Sequence, residues 1–442
     1  MTATTRHQRP SLVLAAPSPT VLSGISPGTM AVLMLAVFTV SIGYGIVLPL
    51  LPYLIERLLG AESASIQMSA EVSRSTGLLT GIYTLALFLF APMWGRMSDR
   101  HGRRVILLVG LAGFGVTTLV FSLFENLWGL YAERFLSGLF AAAVTPVALA
   151  VVADLVTSEN ARARRLTFVT LAGISGFLLG PMLGVFLAGG ASSIRSNPAT
   201  AGALTLPLAA TAVLALLAAG SVYFTVSGEK PREAVAKAGA RDADIDVWLV
   251  PRLLALAFVV SAGVGVFEVG LALRGKQELG LTQYQIAAMF TECSLVMLVV
   301  QAIVFSPWVK PELTRWLIAP ALAALAAGLF LVPYASNFTL MLAVVGAVAA
   351  SAGVLSPILT YWISSKAGAA QGAALGTQTA AASLGVTVGS AAGGLLFDIA
   401  LLPNASFVLM TALVALGFIM SLNLPSLLVT RSIGQSAPVT QP

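Results

Sequence analysis

Charged residues are scarce in this sequence. Only 10% of its 442 residues are Asp, Glu, Lys or Arg, whereas 57% are hydrophobic. A soluble domain carries about 25% charged residues, so a water-soluble fold of this length could not cover its surface. The scarcity of charge argues against a soluble globular protein and predicts that lipid surrounds most of the chain.

Residues that build disulfides, metal sites and catalytic centres are also rare. The single cysteine, Cys293, excludes an intramolecular disulfide, and one cysteine with two histidines argues against a transition-metal site. The sequence has neither a phosphate-binding glycine loop nor a convincing nucleophile–base pair. We therefore expect neither an enzyme nor an ATP-driven pump. We also expect no metal and no cofactor.

Long apolar runs are what the sequence has in abundance. A helix needs roughly 20 apolar residues to cross the hydrocarbon layer, and twelve runs satisfy this. They predict an all-α integral membrane fold of twelve transmembrane helices. The runs lie at approximately 29–54, 77–94, 105–124, 127–152, 167–189, 203–225, 248–273, 286–308, 315–334, 338–363, 370–397 and 405–428.

The distribution of Lys and Arg predicts the orientation. With the N-terminus in the cytoplasm, eighteen of the 24 basic residues lie on the cytoplasmic side and five outside, while Arg134 lies within the bilayer. This bias follows the positive-inside rule. The first 28 residues lack the apolar stretch of roughly 7–15 residues that a signal peptide needs. We expect both termini in the cytoplasm, a multi-pass location in the cell (inner or plasma) membrane, a monomer, and no nucleic-acid partner.

Spaced small residues indicate an internal duplication. One glycine set recurs at an offset of 209 and a Ser-Gly-Gly set recurs at an offset of 220. The resulting organisation is a cytoplasmic tail at 1–28, a six-helix bundle at 29–226, a linker at 227–248, a second six-helix bundle at 249–428 and a tail at 429–442. The paired sets are Gly176, Gly180 and Gly184 with Gly385, Gly389 and Gly393, and Ser41, Gly43 and Gly45 with Ser261, Gly263 and Gly265.

The segment GRMSDRHGRR at 95–104 joins the second and third predicted helices. Its glycines suit a tight turn, and its arginines suit the anionic cytoplasmic face of a membrane. The alternative reading is an ordinary positive-inside loop. The spacing resembles the loop signature of the major facilitator superfamily, which implies a role in conformational switching. The resemblance implies that Asp99 faces the Ala370–Gly372 region and that a loop arginine meets Asp154. The matching residues are Gly95, Asp99, Arg100, Gly102, Arg103 and Arg104.

The fourth predicted helix carries a second resemblance. LYAERFLSGLFAA at 130–142 resembles the superfamily's intramembrane arginine followed by glycine, with Arg134 and Gly138 matching and Ser137 where many members have glutamine. A charge within the membrane is costly unless it is paired or hydrated. In related antiporters the matching arginine takes part in proton movement. The alternative is a structural ion pair or hydrogen bond within the N-terminal bundle.

The fifth predicted helix resembles the signature of drug/proton antiporters. In GISGFLLGPMLG at 173–184 the matching residues are Gly176, Gly180, Pro181 and Gly184, while Val185 replaces a common glycine. Proline predicts a kink, and the glycines predict close packing on a neighbour from the other half. The alternative is a kinked, packed helix with no coupling role.

The segments at 43–52 and 371–385 resemble the same group. The second-half loop at 306–315 lacks the repeated signature, and the Pro-Glu-Ser-Pro-Arg element of sugar porters is missing.

Three acids within the predicted spans are candidates for proton coupling, because burial favours the protonated carboxyl. Glu292 is the strongest, since its own span contains no basic residue. Glu268 is the second candidate. Its proximity to Arg274 and Lys276 allows the alternative of an interfacial acid. Glu133 is the third, and because adjacent helical residues point about 100° apart, we expect Arg134 rather than Glu133 to face the polar pathway.

Five aromatic residues on the helices that line the cavity in this superfamily could contact a substrate. Aromatic faces beside a carboxylate suit hydrophobic or cationic compounds, and one intramembrane arginine disfavours strongly anionic ones. The predicted function is proton-coupled efflux of small amphipathic or drug-like molecules by alternating access. The alternatives are a symporter or uniporter that imports a metabolite, a lipid flippase, and a receptor with the same fold. The aromatic candidates, each of which could instead pack on lipid or helices, are Tyr44, Tyr131, Phe267, Tyr361 and Trp362.

Overall fold

The computed structural model describes most of the apolar part of the chain. Predictions for the N-terminal tail before Ile25, for the linker 227–248 and for the tail beyond Val429 lie outside the described residues. Below, "N-terminal half" means residues 25–226 and "C-terminal half" means residues 249–429. The described residues are 25–59, 66–123, 126–156, 159–194, 205–226, 249–304, 306, 313–366, 371–399, 402 and 404–429.

All regular secondary structure in these ranges is helical, which agrees with the apolar runs. A short 3₁₀ turn, Val332–Tyr334, follows the tenth helix. The helices are α1 Pro27–Val47, α2 Leu51–Leu58, α3 Ile66–His101, α4 Arg103–Phe121, α5 Leu127–Leu155, α6 Glu159–Ile194, α7 Thr205–Thr225, α8 Leu249–Gln277, α9 Gln283–Val304, α10 Thr314–Leu331, α11 Phe338–Lys366, α12 Gln371–Leu395, α13 Ala405–Ser421 and α14 Leu424–Val429.

Ten helices in the described ranges are long and apolar enough to cross a membrane. Two helices of the predicted set are not among the ten. Helix α13 has 17 residues, and α12 is rich in Gly, Ala, Ser and Thr. A multi-pass membrane protein therefore follows from the structure as well as from the sequence.

The predicted boundaries need correction at prolines and at one glycine. The run 29–54 is not one helix, because α1 stops at Val47 and α2 starts again with Pro52 in its first turn. Pro49 and Pro52 lack the backbone N–H that a continuing helix needs. The last run divides similarly between α13 and α14, just before Pro425. The predicted loop 95–104 is mostly the end of α3, and only Gly102, with a φ of 94°, turns the chain.

The repeated glycines pack α6 against α1 and α12 against α8 in matching ways. A methyl group added to Gly176, Gly180 or Gly184 would meet the backbone of Phe38, Ile42 or Ile46. In the C-terminal half, methyl groups on Gly385, Gly389 and Gly393 would meet the backbone of Phe258, Ala262 and Val266. Each glycine is shifted by 209 and each partner by 220, so the contacts repeat as well as the residues. The predicted packing of these α6 glycines on the other half is wrong, because their partner α1 belongs to the same half.

The halves meet along two helix pairs. Helix α3 packs on α12, where Gly77 approaches the backbone of Ser390 and Gly394. Helix α6 packs on α9, where Thr291 Oγ1 lies 3.4 Å from the carbonyl oxygen of Leu178. Small residues permit such close approaches where no hydrophobic effect drives helices together in lipid. These contacts bring side chains of α1 and α8 face to face near the middle of the molecule.

Candidate functional site

A hydrogen bond joins α1 of the N-terminal half to α8 of the C-terminal half. The Tyr44 hydroxyl, on α1, donates to Glu268 Oε2, on α8, over 2.9 Å. Both side chains are partly buried. No Lys or Arg in the described ranges forms an ion pair with Glu268, because Arg274 pairs with Glu278 and Lys276 with Glu56. The interfacial alternative for Glu268 therefore loses the basic partners on which it depended.

Aromatic rings extend this contact into the N-terminal half. The Tyr44 ring stacks on Tyr83 of α3 at a centroid distance of 5.0 Å and on Phe177 of α6 at 5.8 Å. The guanidinium of Arg134 lies 5.4 Å from the Tyr83 ring centroid. Such a cation–π contact stabilises a buried cation. One continuous set of contacts, which we call the central contacts, thus joins Arg134, Tyr83, Tyr44 and Glu268.

Arg134 is neutralised by its own neighbour in sequence. Its Nε and Nη2 donate to the two carboxylate oxygens of Glu133 at 2.5 and 2.9 Å, and both residues are almost fully buried. Although adjacent residues leave a helix in different directions, both side chains are long enough to bend together. The pair matches the predicted structural alternative, and Glu133 is not a free acid.

Close backbone contacts position these rings. A methyl group on Gly138, one turn beyond Arg134, would lie 2.5 Å from the carbonyl oxygen of Tyr83. A methyl group on Gly45 would lie 3.2 Å from the carbonyl oxygen of Phe177 and from Pro181 Cδ. The glycine beside each functional side chain therefore lets the next helix approach closely enough for ring contact. Helix α6 continues through Pro181, which rests on Gly45.

A second set of contacts closes one end of the molecule, the end predicted to face outward. Lys276 Nζ donates to the carbonyl oxygen of Pro52 over 2.8 Å, pairs with Glu56 and lies 4.8 Å from the Tyr53 ring centroid. Tyr53 donates to the carbonyl oxygen of Leu281. Gln277 Nε2 donates to Ser73 Oγ over 3.1 Å. We call Pro52, Tyr53, Glu56, Ser73, Lys276, Gln277 and Leu281 the outer clamp.

The opposite end has no equivalent in the described ranges. Among the described residues, the hydrogen bonds between the halves include those of the outer clamp and those made by Tyr44, Thr84 and Thr291. The α3–α4 connection instead pairs within its own half. Arg103 contacts Asp99 Oδ1 at 2.6 Å and Asp154 Oδ2 at 2.9 Å. In the part of the chain that the structure describes, the outer clamp therefore joins the two halves at one end, whereas Arg103 pairs within its own half at the other.

Comparison with known proteins places the chain in a family. Residues 33–376 match the model of the Major Facilitator Superfamily, which covers well over half of the chain. The chain belongs to the major facilitator superfamily. The predicted resemblance is confirmed, and this superfamily member is a transporter-family protein rather than an enzyme.

Relatives of this superfamily member have names that refer to drug resistance. Multidrug resistance protein 2 of Bacillus subtilis is 29% identical over 371 residues, covering 83% of this chain and 88% of the relative. Multidrug resistance protein 1 of the same organism is 27% identical, covering 89% and 95%. The quinolone resistance protein NorA of Staphylococcus aureus is 26% identical, covering 83% and 89%. These relatives support the predicted likeness to the drug-transporter group.

Solved structures share the fold at low sequence identity. The human organic anion transporter MFSD10 (TETRAN) superposes with a TM-score of 0.68 at 20% identity, covering 90% of this chain and 100% of that one. A D-xylose–proton symporter gives a TM-score of 0.68 at 15% identity, covering 90% and 97%. These two transporters carry different solutes, so the shared fold alone does not indicate a substrate.

Glu292 stands apart from the central contacts of this superfamily member. Its Oε2 is buried without a hydrogen-bond partner, and its Oε1 lies 3.6 Å from the Cβ position of Gly346 on α11. Glu292 was the strongest candidate in the sequence, where only the absence of basic neighbours could be judged. Glu268, by contrast, accepts a hydrogen bond from the other half.

The residues of the predicted switch loop differ in their contacts. The Ala370 part of the predicted Asp99 partner lies outside the described residues, and no atom lies within 4 Å of a Cβ placed on Gly95. Arg104 donates to the carbonyl oxygen of Tyr223, and Arg100 is exposed.

Of the aromatic candidates, only Tyr44 is part of the central contacts. Phe267 is 1% exposed and packs in the apolar core, so in this structure it does not face a cavity as predicted. Trp362 donates to Thr314 Oγ1 and contacts Tyr361 edge-on, while Tyr131 lies against Trp128. Tyr83 and Phe177 were missed, because single aromatics on neighbouring helices give no signal in the sequence.

Proposed function

We propose that this chain is a proton-coupled exporter of small amphipathic or drug-like molecules that works by alternating access. The proposal includes twelve transmembrane helices in two six-helix bundles, at 29–226 and 249–428, within the cell inner or plasma membrane. It places both termini and the linker 227–248 in the cytoplasm, with the chain acting as a monomer. The proton gradient supplies the energy, and no metal or cofactor takes part.

The hydrogen bond from Tyr44 to Glu268 is the observation that carries this proposal. A carboxylate within the membrane is costly and marks a functional site by default. Here it contacts a residue of the other half instead of a permanent cation. Protonation removes the charge that strengthens the bond, so proton binding at Glu268 changes the contact between the halves.

The surroundings of Glu268 suit exchange of a proton for a substrate. The stacked rings of Tyr44, Tyr83 and Phe177 form an apolar environment next to a carboxylate. A hydrophobic molecule with a positive or hydrogen-bonding group competes with the proton for that carboxylate. Arg134 offers little to anionic substrates, because Glu133 already neutralises it. The resistance-named relatives support the same substrate class.

The contacts between the halves support a role for this conformation in the transport cycle. With the outer clamp formed, the site is closed to the outside, and in the proposed orientation it opens to the cytoplasm. Substrate enters from the cytoplasm in this state. Release outside requires the outer clamp to break and the 95–104 end to close, and Asp99, Arg100, Arg103, Arg104 and Asp154 are the polar groups placed there.

The decisive experiment measures lumenal pH in energised inverted vesicles that contain the full chain. Adding hydrophobic cations or neutral drugs to the wild type should release lumenal acid, whereas Glu268→Gln at equal expression should give no release. Asp398→Asn, three residues beyond the end of α12, is the control for loss of an acid and should respond like the wild type. A normal response from Glu268→Gln would refute this site. Substrate-driven acidification of the lumen, the opposite change, would identify a metabolite symporter.

A further inference from the structure

The start of α6 forms a basic cleft that is separate from the contacts described above. Ala161, Arg164, Arg165 and Phe168 line an open cleft of about 380 Å³. The apolar stretch of α6 begins at Arg164. The cleft therefore lies where the membrane meets the water, on the side predicted to be cytoplasmic.

The arginines of this cleft lack anionic partners in the described ranges. Arg165 Nη1 is buried without a hydrogen-bond partner. The Arg164 guanidinium lies 5.5 Å from the Phe168 ring centroid, and the described ion pairs include neither arginine. Nearby Arg103, by contrast, is paired with two carboxylates. A buried donor without an acceptor is costly, and such groups in native structures point to an unseen ion or ligand.

The combination of groups indicates the chemistry of that ligand. Guanidinium groups bind phosphate oxygens with two parallel hydrogen bonds, more selectively than any other side chain. Phe168 is 38% exposed one turn further into the apolar part of α6, where an acyl chain would lie. A free phosphate ion would gain nothing from that ring. We propose that this cleft binds the phosphate headgroup of an anionic phospholipid of the cytoplasmic leaflet, where such lipids are concentrated.

Lipid titration of the purified full chain, followed by native mass spectrometry, tests this site. Phosphatidylglycerol and phosphatidylcholine with identical acyl chains are compared for the wild type and for Arg164→Gln/Arg165→Gln. Two lost arginines should weaken phosphatidylglycerol binding roughly thirtyfold, at about fivefold for each basic residue near the surface. Phosphatidylcholine binding should fall less, because its choline cation offsets the phosphate charge. Arg96→Gln is the matched control, because Arg96 is exposed on the same side and bonds only within its own helix. It should bind phosphatidylglycerol like the wild type.

Three outcomes would overturn the proposal. Equal phosphatidylglycerol binding by the wild type and the double variant would show that the cleft does not bind this lipid. An equal loss of binding in Arg96→Gln would show that the effect comes from general surface charge. Displacement of the lipid by inorganic phosphate alone, with Phe168→Ala binding lipid normally, would assign the cleft to free phosphate. If the double variant fails to fold, Arg164→Lys/Arg165→Lys, which keeps the charge but loses the two-pronged geometry, should still show weaker binding.

Discussion

Lys276 of α8 reaches across to the N-terminal half and donates a hydrogen bond to the carbonyl oxygen of Pro52, 2.8 Å away. Pro52 lies in the first turn of α2, which begins shortly after α1 ends. The contact joins the two halves at this end of the molecule.

Lys276→Met should favour the conformation that is open at this end. A hydrogen bond to a charged donor contributes about 1.5–3 kcal/mol, so we expect the outer-open population to rise roughly tenfold. Spin labels at Arg57→Cys and Thr282→Cys, in a Cys293→Ser background, would report this as a longer distance. Lys276→Arg keeps the charge and should stay closer to the wild type. An unchanged distance distribution in Lys276→Met would show that the clamp does not control closure.

Removing one partner of the Glu133–Arg134 pair should destabilise the protein severely. Arg134→Gln leaves a buried carboxylate unpaired, which costs about 3–5 kcal/mol, so we expect a large loss of thermal stability in detergent. Glu133→Gln/Arg134→Gln removes both charges and should recover most of it. Transport by the stable double variant then tests the role of Arg134. Full activity would establish a purely structural pair, whereas lost transport would place Arg134 in the polar pathway.

Gly180→Ala should weaken the packing of α6 on α1. The new methyl group would lie 2.9 Å from Gly45 Cα and from the carbonyl oxygen of Ile42, and overpacking of this kind costs about 1–3 kcal/mol. Gly389→Ala, at the matching position of α12, should behave alike. Gly376→Ala is the control, because no atom lies within 4 Å of its Cβ position. It should be neutral or slightly stabilising in thermal unfolding, and an equal loss in all three variants would contradict the packing argument.

Tyr44→Phe should impair transport without unfolding the protein. It keeps the stacked ring and removes the hydroxyl that donates to Glu268. A loss of about 1.5–3 kcal/mol at this bond predicts roughly tenfold or more slower substrate-driven proton release. Tyr334→Phe, at an exposed position, is the control. Wild-type rates in Tyr44→Phe would show that the hydrogen bond is incidental.

Glu292→Gln should affect transport less than Glu268→Gln and should stabilise the fold. Its Oε2 is buried without a partner, and burial of an unpaired carboxylate is unfavourable. We expect a higher midpoint of thermal unfolding and measurable substrate-driven proton release. Complete loss of proton release in Glu292→Gln, with Glu268→Gln active, would reverse the assignment of the two acids.

Several features were predictable because they depend on composition or on local spacing. Low charge and long apolar runs required lipid as the solvent, and helices are the solution that satisfies every backbone group within a single segment. A loop arginine was expected to meet Asp154, and in the structure Arg103 makes this contact. The predicted helix boundaries near Pro49, Pro52 and Gly102 were less accurate. At these places one or two residues end a helix, although the composition around them does not change.

By itself, the sequence determined the membrane environment, the superfamily resemblance and the spacing of the glycines that lets α6 meet α1 and α12 meet α8. Only the tertiary structure decided which acid lies at the contact between the two halves. Helical periodicity places Glu268 and Glu292 on faces of their own helices, but it says nothing about how those helices are rotated against their neighbours. That rotation follows from close backbone contacts at glycines such as Gly45 and Gly265. It brings Glu268 to Tyr44 and leaves Glu292 beside Gly346.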